Sequence, residues 1–465
     1  MRDPGQAVAI AHAMLAKGLK LNAQWRAVAR FAMSEGEWPL AIGAMRAFVA
    51  SDPAALEPNL ALAELLVIAG RTADARRVLE DLNRTFPNTA QILHFLGVAL
   101  IETGDSHAGV AHLDAALRLR PGSGATWLAL VHATRSSDGA MLDRLADVCG
   151  RAPDAERATL LYALGKLLEG RGEHARAFTA YADGARRVAV ERVYDAAADR
   201  AEAMTTLQRP DVRAAIPSPR RTGPAPIFIT GKPRSGTTLV EQLMASDADV
   251  GSGGELNILG LAGRSPPSGS AATASVDAWA TVVRNRYAHL ASLRLPGHGR
   301  IVDKSLNTSR FAGMVRVAMP DAPLIWLRRD PFDTAWSSFR TYFSQGLAWS
   351  FDMVAMARFH ALEDALYAFW KDAYGAQLLA IDYADLVNDP ATMVARLQSH
   401  CGLTPNPRAL DYHKDGRTVR TASVAQVRQP INRDGIGVAA PYREQLDTFA
   451  IAYDAARASF GLPAI

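Results

Sequence analysis

The residues with the clearest chemical reading lie between Pro226 and Leu239, in the run Pro-Ile-Phe-Ile-Thr-Gly-Lys-Pro-Arg-Ser-Gly-Thr-Thr-Leu. Their pattern predicts a short buried strand, a tight turn bounded by Gly231 and Gly236, and a helix that begins near Thr237. Such a turn aims backbone N–H groups and the positive end of a helix at one point, where a phosphate binds. The two glycines have the spacing of the nucleotide loop G-x-x-x-x-G-K-[ST], yet Thr237 stands where that loop has its lysine. An ordinary ATPase needs that lysine on the β- and γ-phosphates. Arg234 is the candidate to supply the charge instead.

Three more groups follow expected strands. In Trp326–Ser337, Arg329 ends a strand and Ser337 lies eight residues later, on the helix after an Asp-Pro turn. An arginine fork with a hydroxyl suits a terminal phosphate dianion. The same run also reads as a plain helix start, with Asp330 as cap and Pro331 in the first turn. In Gly253–Asn257, Glu255 is a carboxylate placed to take the proton from an attacking hydroxyl, or else a cap for the next helix. In Ile301–Asn307, Lys304 follows a strand with Asp303 beside it to orient it; a solvated lysine is the plain alternative.

Something must hold these groups together. Ile227–Ile229, Ile301-Val302, Leu324–Leu327 and Leu378–Ile381 are short apolar runs separated by helical patterns. They predict a parallel sheet covered on both faces, with ligands at the carboxyl ends of its strands. The first half is different. Gly36, Gly70, Gly104 and Gly172 fall on one 34-residue ruler with Asp138 at the missing step, and Pro53, Pro87 and Pro121 keep the same period. So do the small residues Ala41, Ala75, Gly109 and Ala177, while Trp25 and Trp127 take an aromatic position. Each such helix pair has an apolar face that it buries only by stacking on neighbours. The period resembles that of tetratricopeptide repeats over roughly residues 5 to 190. The helical stretch near Val188–Leu207 is expected to close the array. The expected layout is an array over 1–207, a Pro-rich linker over 208–225 and an α/β domain over 226–465.

The run Pro-Arg-Ser-Gly-Thr-Thr-Leu resembles the 5′-phosphosulfate loop of sulfotransferases that use 3′-phosphoadenosine 5′-phosphosulfate (PAPS), and Arg329-x7-Ser337 resembles their 3′-phosphate motif. The likeness covers about residues 225 to 460 and is closest in kind to repeat-fused relatives of tyrosylprotein sulfotransferase. It implies a P-loop-like parallel-sheet domain and a PAPS site made by Lys232, Arg234, Ser235, Gly236, Thr237, Thr238, Arg329 and Ser337. It implies Glu255 as the base and Lys304 as the group beside the sulfonate or bridging oxygen. Tyr383, in Ile381–Pro390, would lie near the nucleotide, and Ser423 and Arg428 would sit on a late loop folded over it. No metal is implied. The acceptor is left open among a peptide tyrosine, a sugar and a small molecule, with a peptide or protein held by the repeats as one case.

Composition narrows the field. The 465 residues are 49% hydrophobic with a formal charge of +4, which gives no reason to expect a nucleic-acid partner. Two cysteines, Cys149 and Cys401, are too few for a disulfide framework or a zinc site and suit a reducing compartment. The expectation is a soluble, cytoplasmic, bacterial protein with no membrane partner. Two rivals stand beside the enzyme. A P-loop kinase or NTPase predicts a lysine after Gly236 and acidic magnesium ligands. A non-catalytic interaction protein would not need Glu255, Lys304, Arg234, Arg329 and Ser337 together. Residues 263–275 read as a loop that covers the acceptor or is a tolerated insertion; His289 and His360 read as packing or surface residues.

Overall fold

A computed structural model describes residues 4–134, 139–207, 225–264, 276–414 and 429–464. The expected linker, Ser423, Arg428 and most of the 263–275 loop lie outside these residues. The chain opens with α1 (Pro4–Ala16), followed by helix pairs α2 (Trp25–Ser34) and α3 (Trp38–Ser51), α4 (Leu56–Ile68) and α5 (Thr72–Thr85), and α6 (Ala90–Glu102) and α7 (Ser106–Leu119). Two more pairs complete the array: α8 (Gly124–Thr134) with α9 (Gly139–Arg151), and α10 (Asp154–Gly170) with α11 (His174–Glu191).

The 34-residue period is a backbone requirement. Gly36, Gly70, Gly104 and Gly172 have φ of 77°, 80°, 102° and 75°, a conformation that side chains with a Cβ resist, and each ends the first helix of its pair. Second helices therefore begin at Trp38, Thr72, Ser106 and His174 on the same ruler. Trp25 and Trp127 are buried, as their repeat position requires. Closure of the array differs from the expectation. Its last helix is α11, whereas α12 (Ala196–Leu207) packs on α16 and α18 of the second half, and Asp199 pairs with Arg310 there at 3.1 Å. A buried arginine needs that carboxylate, and this draws the helix across.

The second half is built on five parallel strands in the order β2-β3-β1-β4-β5. In chain order it runs β1 (Ala225–Gly231), α13 (Thr237–Met244), β2 (Val250–Ser252), α14 (Leu259–Ala262), α15 (Val276–Arg294), β3 (Arg300–Asp303), α16 (Thr308–Ala318) and β4 (Leu324–Arg328). After these come α17 (Pro331–Phe339), α18 (Met353–Tyr374), β5 (Leu378–Asp382), α19 (Tyr383–Asn388), α20 (Pro390–His400) and α21 (Asp447–Ala458). The four expected strands are present; three-residue β2 was not anticipated. Central β1 pairs with β3 (Phe228 opposite Asp303) and with β4 (Gly231 opposite Leu327). Helices bury both faces, so Ile227, Phe228 and Ile229 are wholly inside on alternate sides. Among the described residues no helix is long and apolar enough to cross a membrane.

Candidate active site

The site gathers where β2, β3, β1 and β4 end, each strand contributing one segment. After β1, the chain turns through Lys232–Gly236 into α13. Gly231 and Gly236 have φ of 148° and 105°, and Arg234 between them is also left-handed at 69°. A Cβ on Gly231 would stand 2.5 Å from the Leu327 carbonyl oxygen, and one on Gly236 would stand 2.7 Å from the Tyr383 ring. Only glycines let the loop lie this tightly across the strand end. Thr237 and Thr238 open α13 and are buried, and Ser235 is buried with its Oγ lacking a partner among the described residues.

Arg329, just past β4, braces this loop. Its Nη1 donates to the Arg234 carbonyl at 2.7 Å, its Nη2 donates to the Gly435 carbonyl, and its guanidinium lies 4.9 Å over the Tyr383 ring. Burial lowers the pKa of Arg329, and burial with the nearby Arg340 and Arg329 charges lowers that of Arg234 to about 10. Arg234, Arg329 and Arg340 thus crowd positive charge at this strand end. Ser337 is buried on α17, where Asp330 caps the helix by accepting from the Asp333 N–H at 2.9 Å. Asp330 thus caps the helix that carries Ser337, as the plain reading of the run expected. Sequence reasoning passed over Asp333. Its carboxylate accepts from the Gly437 N–H at 2.8 Å and the Ala439 N–H at 3.0 Å, which pins residues 437–439 against α17.

On the other side of β1 the two expected catalytic residues meet. Lys304 Nζ, almost fully buried, donates to Glu255 Oε1 at 3.0 Å, while the Glu255 side chain remains 38% exposed. Main-chain bonds bring their turns together: Gly253 N–H donates to the Val302 carbonyl at 2.9 Å, and Lys304 N–H to the Gly254 carbonyl at 2.9 Å. A second carboxylate, Glu241 on α13, was not anticipated. It is buried, accepts from Ser252 Oγ at 2.7 Å and Gly254 N–H at 2.6 Å, and lies 4.0 Å from Lys304 Nζ. Its signal in the sequence is a charged residue inside a helix whose eight residues are all buried.

Several expected roles change. Lys232, placed among the donor ligands, turns away: its ammonium pairs with Asp364 at 2.7 Å and donates to Tyr453 at 3.1 Å. Burial opposes that charge, and the two oxygens outweigh it, holding the pKa above its ordinary value. Asp303 does not orient Lys304. Its oxygens accept from Ser305, through both N–H and Oγ–H, and from the Tyr287 hydroxyl, while burial keeps its pKa raised. The Tyr383 ring lies against Gly236 and Gly435. His289 donates or accepts at Glu37, 2.9 Å away, and His360 is wholly buried among aromatic rings. Neither faces the segments that hold Glu255 and Lys304. Among the described residues no group of three His, Cys, Asp or Glu is placed to hold a metal ion.

Residues 226–407 match the model of the Sulfotransferase family. A relative, an uncharacterized protein from Aquifex aeolicus (strain VF5), is 30% identical over an alignment of 307 residues that covers 61% of this chain. The match spans only 40% of that relative's length. Among solved structures, the sulfotransferase domain of the Synechococcus PCC 7002 olefin synthase is 20% identical, with 51% of this chain and 97% of that domain covered and a TM-score of 0.37. MamA is 17% identical, with 35% of this chain and 89% of that one covered and a TM-score of 0.29.

Proposed function

We propose that the chain transfers a sulfuryl group from PAPS to an acceptor hydroxyl, with Glu255 as general base. The observation that carries this reading is the convergence of a Lys304–Glu255 pair at 3.0 Å with a phosphate loop and a second arginine, Arg329, on neighbouring strand ends. The sequence-family match over the same residues supports the sulfuryl chemistry. The fit to the donor rests on two features. Gly231 and Gly236 leave no room for a Cβ, which makes the loop a close cradle, and the buried Ser235 Oγ and Arg329 Nε have polar capacity to spare.

In this reading Arg234, Ser235 and the N–H groups around Gly236–Thr238 bind the 5′-phosphosulfate. Arg329 and Ser337 take the 3′-phosphate, and Tyr383 packs near the nucleotide. Glu255 accepts the acceptor's proton as its oxygen bonds to sulfur in line with the breaking S–O bond. Lys304 leaves Glu255 for the bridging oxygen, and so meets the charge that grows on the departing adenosine bisphosphate. A sulfuryl group carries less negative charge than a γ-phosphoryl, so positioned cations of the chain suffice to meet it. The engagement of Lys232 by Asp364 weakens the kinase alternative further, since the lysine nearest the loop is already spoken for.

Transfer from PAPS labelled in its sulfuryl group, screened over phenols, sugars and peptides, tests the reading. Glu255→Gln is expected to lose transfer by about 100-fold or more while binding adenosine 3′,5′-bisphosphate normally. Undiminished transfer by that variant removes Glu255 from its role.

A further inference from the structure

The repeat array is fastened to the catalytic half at two separate places. At its start, Glu35 pairs with Arg286 at 2.9 Å and Arg264 at 3.4 Å, and Glu37 meets His289 at 2.9 Å. Trp38 lies 4.7 Å beneath the Arg294 guanidinium, and the Gly36 backbone comes so close that a Cβ would stand 3.1 Å from Leu261 and Leu290. At its far end, Glu169 on α10 pairs with Arg340 at 2.5 Å, His174 meets the Tyr442 hydroxyl at 3.1 Å, and Arg192 donates to the Phe343 carbonyl at 2.8 Å. Phe178 stacks on Trp336, and the cores of α10–α11 and α17 form one cluster.

The positions of these two attachments matter. The first lies on α14–α15, the segment that leads from the Glu255 turn into β3. The second lies on α17 and its C-cap Arg340, which follow β4. In the sheet, β3 and β1 stand between β2 and β4, and their ends carry Lys304 and the phosphate loop. The helices between α3 and α10 thus run between two attachments, one on the segment after the Glu255 turn and one on α17. His132 on α8 lies toward the same place: burial, then the Lys166 and Arg234 charges, draw its pKa down to about 4.

We propose that the array is a wall of the acceptor site: held at both ends, it roofs the strand ends at Lys304 and the phosphate loop, so that Glu255 is reached by a hydroxyl on a slender, flexible arm and not by one on the flat face of a folded protein. The assignment of Glu255 to the acceptor side rests on the proposed sulfuryl transfer; the enclosure itself does not. Chain ends, unstructured peptide segments and small molecules share the required shape.

A thiol at position 255 tests this in the full-length chain. Glu255→Cys is labelled with N-ethylmaleimide and with a polyethylene-glycol maleimide of several kilodaltons, and the rate ratio is compared with that of Ile451→Cys, a position 74% exposed on α21. Native Cys149 and Cys401 are buried, which raises their thiol pKa values to about 11 and about 12 and keeps them slow. The ratio at 255 is expected to exceed the control by about tenfold or more, because the bulky reagent needs the array to open. Glu35→Lys or Arg286→Glu should bring the ratio toward the control, and Glu35→Arg with Arg286→Glu should restore it. A ratio equal to the control in the chain that carries Glu255→Cys alone overturns the wall, whether or not the charge reversals fold. Calorimetry with adenosine 3′,5′-bisphosphate on the parent chain separates the two ideas: enclosure without bisphosphate binding sinks the sulfotransferase reading and leaves the wall standing.

Discussion

Glu241 offers the most demanding check on how the site is held together. Lys304 is buried with two carboxylates, Glu255 at 3.0 Å on its exposed side and Glu241 at 4.0 Å on its inner side. In the proposed transfer Lys304 turns from Glu255 toward the bridging oxygen, and Glu241 is the carboxylate that stays with it. Glu241→Gln keeps the shape and removes the charge. At 4.0 Å and an effective dielectric near 20, Coulomb attraction is about 4 kcal/mol, an upper bound for what is lost. The amide oxygen still accepts from Ser252 and Gly254, at roughly 1 kcal/mol less in all. Rearrangement around Lys304 recovers part of this, so a net destabilisation of about 2–4 kcal/mol is expected. Urea unfolding of the parent, Glu241→Gln, Lys304→Met and the double variant would measure it. The double variant should be less destabilised than the sum of the singles by at least ~1.5 kcal/mol, because Lys304→Met strands buried Glu241 and Glu241→Gln removes the inner counter-ion of Lys304. Additivity within about 0.5 kcal/mol would refute the pairing and with it the role of Glu241 as the lasting counter-ion.

Other consequences are quicker to state. Arg340→Met leaves Glu169 buried without its main partner and should cost about 3–5 kcal/mol in urea, with Glu169→Gln in the same chain recovering part of it. His360 is buried, both ring nitrogens lack partners among the described residues, and burial followed by the Lys232 charge holds its pKa well below 6.5. The unfolded chain therefore binds the proton first as pH falls. Stability should drop below pH 6.5, by up to ~1.4 kcal/mol per pH unit from this group, and His360→Phe should flatten that part of the profile. Gly231→Ala forces a Cβ to within 2.5 Å of the Leu327 carbonyl and should abolish bisphosphate binding or folding outright; a well-folded variant with parental affinity would show that the cradle is looser than described.

Much of this was legible in the sequence because it is local. The repeat glycines announce themselves through a backbone conformation that each must adopt, and the Gly231–Gly236 turn through a strand, two glycines and a helix start within fourteen residues. Glu255 and Lys304 were found separately, each by its place after a strand, and the sheet brought them to 3.0 Å. What stayed hidden depends on distant partners. Lys232 has the look of a phosphate ligand until Asp364 and Tyr453, more than a hundred residues on, claim it. Asp303 sits next to Lys304 in the chain, yet its strand turns it toward Tyr287 and Ser305 instead. Glu241 hides in a helix that is buried all round, where periodicity gives no exposed face to flag it. The Glu35 and Glu169 attachments join surfaces that carry ordinary helix charges in the sequence, and only folding shows that those charges are paired across the two halves.

The central claim is a site built for two separate phosphates of one nucleotide. Calorimetric titration with adenosine 3′,5′-bisphosphate, set against magnesium-ATP, addresses it most directly. The account predicts preference for the bisphosphate and a loss of about 10- to 100-fold in Arg329→Ala, the worth of a charge-assisted contact to the 3′-phosphate. Preference for magnesium-ATP, with no response to the 3′-phosphate or to Arg329→Ala, would contradict it and restore the kinase reading.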